Sequence, residues 1–197
     1  MNLHSFSAAL LSVCFAASTF ALAPGERVDN FRLLDEAGSS HELYYFSDTK
    51  AFVLMAHNSS CQSMQKSVKA LAAMQAKYAD QGVEFMLINS DLRDDRSAIQ
   101  ASVIDQRVTA PVLMDSTQII GESLGAMSAG DTLVINPSNW QVAYLGGAQN
   151  AGQAVASLVK GQSPQMTSDR ASLKQASSAD CAVDYPELAN RAEHANI

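Results

Sequence analysis

Ala51-Phe52-Val53-Leu54-Met55-Ala56 is a continuous apolar run of strand length, and Val83 to Asn89, apolar apart from Glu84 and Asn89, is a second stretch of strand length. Such runs fit strands covered on both faces. Between them Met64, Val68, Leu71, Met74 and Tyr78 recur at intervals of three and four. That period gathers them on one face of a helix and leaves Lys66, Lys69 and Lys77 to water, with Gly82 ending it. Upstream, Asn30 to Leu34 and His41 to Tyr45 flank the turn residues Glu36-Ala37-Gly38-Ser39, predicting an opening hairpin. Downstream the pattern predicts a helix from Arg93 to Gln106, a short strand at Pro111 to Met114 and a short helix from Gln118 to Leu124. An antiparallel pair, Asp131 to Ile135 with Gln141 to Leu145, follows, and then a last helix from Ala151 to Lys160. Strands and helices in this order predict an α/β domain with a mixed central β-sheet flanked by helices.

The two ends read differently. Phe6 to Phe20 is a short apolar run leading to Ala21-Leu22-Ala23, the pattern of a cleaved signal peptide over residues 1–23, with cleavage after Ala21 as an alternative. The run is shorter than the ~20 apolar residues a membrane span needs. The expected product is therefore an exported protein, periplasmic or secreted and not membrane-embedded. After the domain at 24–160, residues 161–197 turn to Ser, Gln, Ala and Asp and read as a flexible C-terminal tail. A net charge of −7 with no Lys/Arg cluster excludes a nucleic-acid footprint.

With Cys14 inside the segment to be removed, Cys61 and Cys181 are the cysteines of the mature chain. The polar run His57-Asn58-Ser59-Ser60 closes the apolar stretch and favours a helix start at Cys61. A cysteine there lies near unpaired backbone N–H groups that favour its thiolate, the attacking species. The same polar loop predicts an accessible, reactive sulfur, with a buried, inert cysteine packing at the strand end as the alternative. Cys181 can serve as a resolving thiol, as half of a structural bridge pinning the tail, or as a thiol pairing with another chain; sequence leaves these open.

The stretch from Phe52 to Tyr78 around His57-Asn58-Ser59-Ser60-Cys61-Gln62-Ser63-Met64, with Gly82 to Asn89, Ala110-Pro111-Val112-Leu113-Met114-Asp115, Leu124-Gly125-Ala126, Thr132 to Pro137 and Val142 to Gly146, resembles the redoxin branch of the alkyl hydroperoxide reductase and thiol-specific antioxidant superfamily. The resemblance spans about residues 24–160. It implies a thioredoxin-like fold, thiol redox chemistry and Cys61 at the nucleophile position. Expected partners are a thiol or disulfide protein or a peroxide. Glu193-His194-Ala195-Asn196-Ile197 and Cys181-Ala182-Val183-Asp184-Tyr185-Pro186 resemble the junction in larger exported proteins where a redoxin domain precedes a haem or copper module, which implies either a shortened relative of those proteins or an exported metalloprotein partner.

Departures from the family pattern are specific. Met64 stands where dithiol members carry their second cysteine, and Gly130 stands at the position of the usual cis-proline. Leu54 and Asn58 replace the proline and the Thr or Ser that precede a peroxidatic cysteine. A catalytically degenerate module that binds a partner metalloprotein or copper is therefore the alternative function, and a one-cysteine peroxidase a third. His57 reads as a solvated loop residue, with a cationic neighbour of the thiolate or a Cu(I) ligand beside Cys61 and Met64 as lesser readings. No cofactor and no metal are assigned. Trp140 reads as a strand residue packing on the sheet.

Overall fold

The computed structural model describes residues 22–125, 128–169, 181–183 and 185. The expected signal segment, apart from Leu22 and Ala23, lies outside them, as does most of the segment after residue 169.

β1 (Arg32–Leu34) and β2 (Ser40–Glu42) form the opening antiparallel hairpin. The second strand stops early because Leu43–Phe46 winds into a 3-10 turn that buries Leu43. The main sheet has six strands in the order β5-β4-β3-β6-β7-β8. β3 (Ala51–His57), β4 (Val83–Asn89) and β5 (Val112–Met114) are parallel neighbours. β6 (Asp131–Asn136) runs antiparallel to β3, and β7 (Gln141–Gly147) antiparallel to β6. The helices are α1 (Gln65–Tyr78), α2 (Arg96–Gln106), α3 (Ile119–Leu124) and α4 (Gly152–Val159). Order, mixed sheet and flanking helices are those the apolar pattern predicts.

Alternation within β3 explains its continuous apolar run. Val53 and Met55 join one core with Val68, Leu71 and Met74 of α1 and Val155 and Leu158 of α4. Phe52 and Leu54 face the other way, into a second core with Phe31, Leu43, Leu124, Leu133 and Trp140. With two covered faces, no position of β3 is free for a polar residue without a partner.

Three sequence expectations change. Trp140 lies in the turn before β7, at φ 61°, and stacks on Tyr44 with ring centroids 4.4 Å apart. Asp95 caps α2 by accepting from the Ala98 amide, so that helix begins at Arg96 and not at Arg93. Residues 167–169, part of the stretch expected as a flexible tail, instead extend the sheet: β8 (Thr167–Ser168) pairs parallel with β7. Asp169 holds that addition by accepting from the Tyr144 hydroxyl at 2.8 Å and the Gly147 amide at 3.1 Å.

The loop before β6 brings Gly130 against the end of β3. Its N–H donates to the Ala56 carbonyl at 2.8 Å, its φ is +93°, and a Cβ there would lie 2.6 Å from Ser67 Oγ. A proline offers neither that φ nor that donor. Gly130→Pro is therefore expected to destabilise the fold by more than about 1 kcal/mol, read as a lower urea midpoint, despite restoring the residue usual at this position in relatives.

Candidate active site

Cys61 and Cys181, 120 positions apart in sequence, are joined in a disulfide with their Cα atoms 4.8 Å apart. The bond lies where β3 ends and α1 approaches. Between them runs the polar loop and a 3-10 turn over Gln62–Met64, to which Cys61 is the flanking residue. The α-helix proper starts only at Gln65, one short turn later than the sequence suggests. Asn58 causes the delay: its side-chain Oδ1 accepts from the Ser60 amide at 2.8 Å, and its carbonyl accepts from the Cys61 amide at 3.3 Å. These local bonds compete with helix formation.

Cys61 is fully buried and Cys181 is 1% exposed. The accessible sulfur expected from the polar loop is thus covered, and Cys181 itself occupies one side of it. The tail segment carrying Cys181 is held by backbone pairing as well as by the sulfur. The Ala129 amide donates to the Cys181 carbonyl at 2.9 Å, and Ser128 forms an antiparallel bridge with Ala182. Gly130 and the segment at 181–182 therefore meet on one short loop.

Ser63 Oγ lies 3.4 Å from Cys61 Sγ and 3.2 Å from Cys181 Sγ. With both sulfurs in the disulfide, the hydroxyl is the only group of the three with a hydrogen to donate. No spacing rule singles out Ser63, because one of its two sulfur contacts comes from a residue 118 positions away. Beside the pair opens a polar cleft of about 360 Å³ lined by Ser59, Cys61, Gln62, Gln65, Asp105 and Gln106. Among the described residues, Ser59 Oγ and Gln106 Oε1 are buried there without hydrogen-bond partners.

His57 is the clearest correction: it is fully buried as the last residue of β3, not solvated in a loop. Asn89, its neighbour in β4, explains how a ring can sit there. Asn89 Nδ2 donates to His57 Nδ1 at 3.0 Å and to Asp94 Oδ2 at 2.7 Å, while Asn89 Oδ1 accepts from the Asp91 amide at 3.0 Å. An acceptor role for Nδ1 fixes the tautomer with hydrogen on Nε2, which donates to Ser102 Oγ at 3.1 Å. Burial drives the His57 pKa down to about 4 despite the opposing charge of Asp94. The imidazole is neutral and brings no positive charge toward Cys61. Both of its nitrogens are hydrogen-bonded and the Cys61 sulfur is bonded to Cys181, so the His57, Cys61 and Met64 set offers no open donor cluster to Cu(I).

The network extends to the loop itself. Asp94 Oδ2 accepts from the Ser59 amide at 2.8 Å, and Asp91 Oδ2 accepts from Asn58 Nδ2 at 2.7 Å. Arg93, bonded to Asp91, holds that carboxyl below its ordinary pKa. Residues 91–94 thus clamp the backbone leading into Cys61. Asn89, Asp91 and Asp94 are site residues the sequence does not reveal, since each acts on a loop more than thirty positions away.

The His57 pKa has a consequence for stability. Between pH 6.5 and about 4 the unfolded chain takes up a proton that the folded chain refuses, so stability falls as pH falls through that window and is flat above it. Urea unfolding should show a loss of about 2 to 3 kcal/mol between pH 6.5 and 4.5. His57→Gln should flatten this slope, and an unchanged slope in that variant would refute the assignment to His57.

No match is found among curated proteins. The fold is shared with solved structures of low sequence identity. A hypothetical protein from Sinorhizobium meliloti 1021 aligns at TM-score 0.66 and 22% identity over 75% of this chain and 90% of that one. A putative thiol:disulfide interchange protein DsbE from Chlorobium tepidum aligns at 0.62 and 17%, over 71% and 99%. The peroxidoxin BcpB of Mycobacterium tuberculosis aligns at 0.57 and 18%, over 70% and 96%. Together these place the chain among thioredoxin-like α/β folds. Residues 24–144, which run from the opening hairpin through β6 into β7 and include the loop of Cys61, match one family model over more than half the chain, and the chain belongs to the AhpC/TSA family.

Proposed function

We propose that this protein is an exported thiol oxidoreductase whose cycle passes through the Cys61–Cys181 disulfide. The observation that carries the reading is the pairing itself: the cysteine at the nucleophile position of the family is bonded to a tail cysteine that the domain docks by backbone hydrogen bonds. The apolar run at 6–20 and the oxidised pair support action outside the cytoplasm, where disulfides persist. Among the described residues, no helix is long and apolar enough to cross a membrane.

Cys61 starts the cycle as a thiolate. Against a disulfide RSSR it attacks one sulfur and releases RS⁻; the Cys181 thiolate then attacks Cys61 Sγ, closes the internal bond and releases the second RS⁻. Against a peroxide ROOH it takes the distal oxygen and releases an alcohol, leaving a sulfenic acid, from which Cys181 displaces water. Either way two equivalents of an external thiol reopen the bond. Ser63 is suited to both halves, because its hydroxyl reaches either sulfur as negative charge develops there. Met64 is 1% exposed within the core, so a local partner three residues on from Cys61 is replaced by one from the tail.

Complete burial of Cys61 favours a second reading, a structural bridge that only pins the tail. The two readings part in one experiment. In the redox reading, Cys61→Ser reduces turnover of disulfide and peroxide substrates to the buffer background. Cys181→Ser keeps the first reaction and halts with Cys61 held as a mixed disulfide or sulfenic acid, visible by intact mass. A bond that stays closed for hours in native protein under excess dithiothreitol, with wild type inert toward both substrates, would sink the proposal.

A further inference from the structure

Tyr185 packs against the domain at a place unrelated to the sulfurs. It is 6% exposed, and its hydroxyl is hydrogen-bonded with Ser90, the residue just after β4. Ser90 Oγ donates to Asp115 Oδ2 at 2.8 Å, and the same carboxylate oxygen accepts from the Gly121 amide at 2.7 Å. Because the Ser90 hydrogen is committed to Asp115, the tyrosine hydroxyl is the donor to Ser90 Oγ. Gly121 completes the slot: a Cβ there would overlap Ser90 Oγ and come within 2.6 Å of the Tyr185 hydroxyl. The absence of a side chain at this position of α3 is what admits the ring end.

The tail therefore meets the domain at three successive places: the Cys181 sulfur on Cys61, the Ala182 backbone bridge to Ser128, and Tyr185 in the slot, with Val183 also buried. The slot and the backbone bridge do not depend on the bond between the sulfurs. A tail held at both of them stays close to Cys61 after the disulfide opens, which raises the effective concentration of the Cys181 thiol.

We propose that Tyr185 is a positioning residue for Cys181: docked in the Ser90–Asp115–Gly121 slot, it keeps the reduced thiol beside Cys61 and so favours closure of the internal disulfide. This rests on the reading of Cys61 and Cys181 as a redox pair. The relevant equilibrium exchanges the protein disulfide and two glutathione thiols for the protein dithiol and one glutathione disulfide. Tyr185 acts only on the intramolecular half of that exchange, in which Cys181 displaces glutathione from Cys61.

The test uses the full mature chain equilibrated in glutathione buffers, trapped by alkylation and weighed. Tyr185→Ala should lower the closure constant about tenfold, equivalent to about 30 mV for two electrons. Tyr185→Phe keeps the buried ring without its hydrogen bond and should fall between that variant and wild type. In a Cys181→Ser background, adding Tyr185→Ala should leave the constant for the Cys61–glutathione mixed disulfide unchanged; a general loosening of the site would shift both constants. A closure constant for Tyr185→Ala within about twofold of wild type would overturn the inference, as would equal shifts in the two backgrounds. Should wild type turn over no substrate while Tyr185→Ala still lowers closure, the redox function fails and the anchoring role stands.

Discussion

The candidate site is organised around one covalent contact, in which a tail sulfur is bonded to Cys61, just beyond the carboxyl end of the central strand β3. Each side of that contact is fixed by its own set of bonds. On the domain side, Asp91 accepts from the Asn58 side chain and Asp94 from the Ser59 amide, and Asn89 ties both of these residues to the end of β4. On the tail side, the loop before β6 pairs with Cys181 and Ala182. Closing a loop of 120 residues removes unfolded-chain entropy worth about 5 kcal/mol on the chain-entropy picture. The same bond that carries the proposed chemistry is thus a large share of the stability a domain of this size has to spare.

The buried histidine supports the site without carrying charge itself. A cationic imidazole next to Cys61 would help its thiolate directly, but burial outweighs the attraction of Asp94 and leaves His57 neutral. What it supplies is a fixed acceptor and a fixed donor, locking Asn89 of β4 and Ser102 of α2 to the end of β3. In the proposed cycle, charge developing at the sulfurs is met by the Ser63 hydroxyl and by the helical start around it. The arrangement separates the group that ties the strand end together, His57, from the group that touches the sulfurs, Ser63.

Legibility in the sequence follows the range of the interactions. The strands β3 and β4 and the face of α1 can be read because burial on two sides or one leaves a period in the sequence itself. Cys61 can be placed at the end of β3 for the same reason. Its burial cannot, because part of the covering comes from Cys181, whose polar and small-residue surroundings carry no apolar period. His57 reads as polar loop because a histidine after an apolar run looks like its end; only its partner Asn89, paired across the sheet, makes it the strand's last buried residue. Strand propensity misplaces Trp140, whose backbone lies in the left-handed region of a tight turn.

The two departures from the family pattern, Met64 and Gly130, are consistent with one another once the tail is in place. A second cysteine at Met64 would stand in the core beneath the pair, among α1 residues that pack on β3, and would compete with Cys181 for the same sulfur. At residue 130, glycine lets the chain turn at φ +93° with its own N–H on Ala56, while the preceding Ala129 N–H remains directed to Cys181. A proline would remove the first of these bonds and alter the turn that aims the second. Substitutions that look like losses for a local dithiol suit a distant partner cysteine: an apolar floor under Cys61, and a loop whose Ala129 amide meets the tail at Cys181.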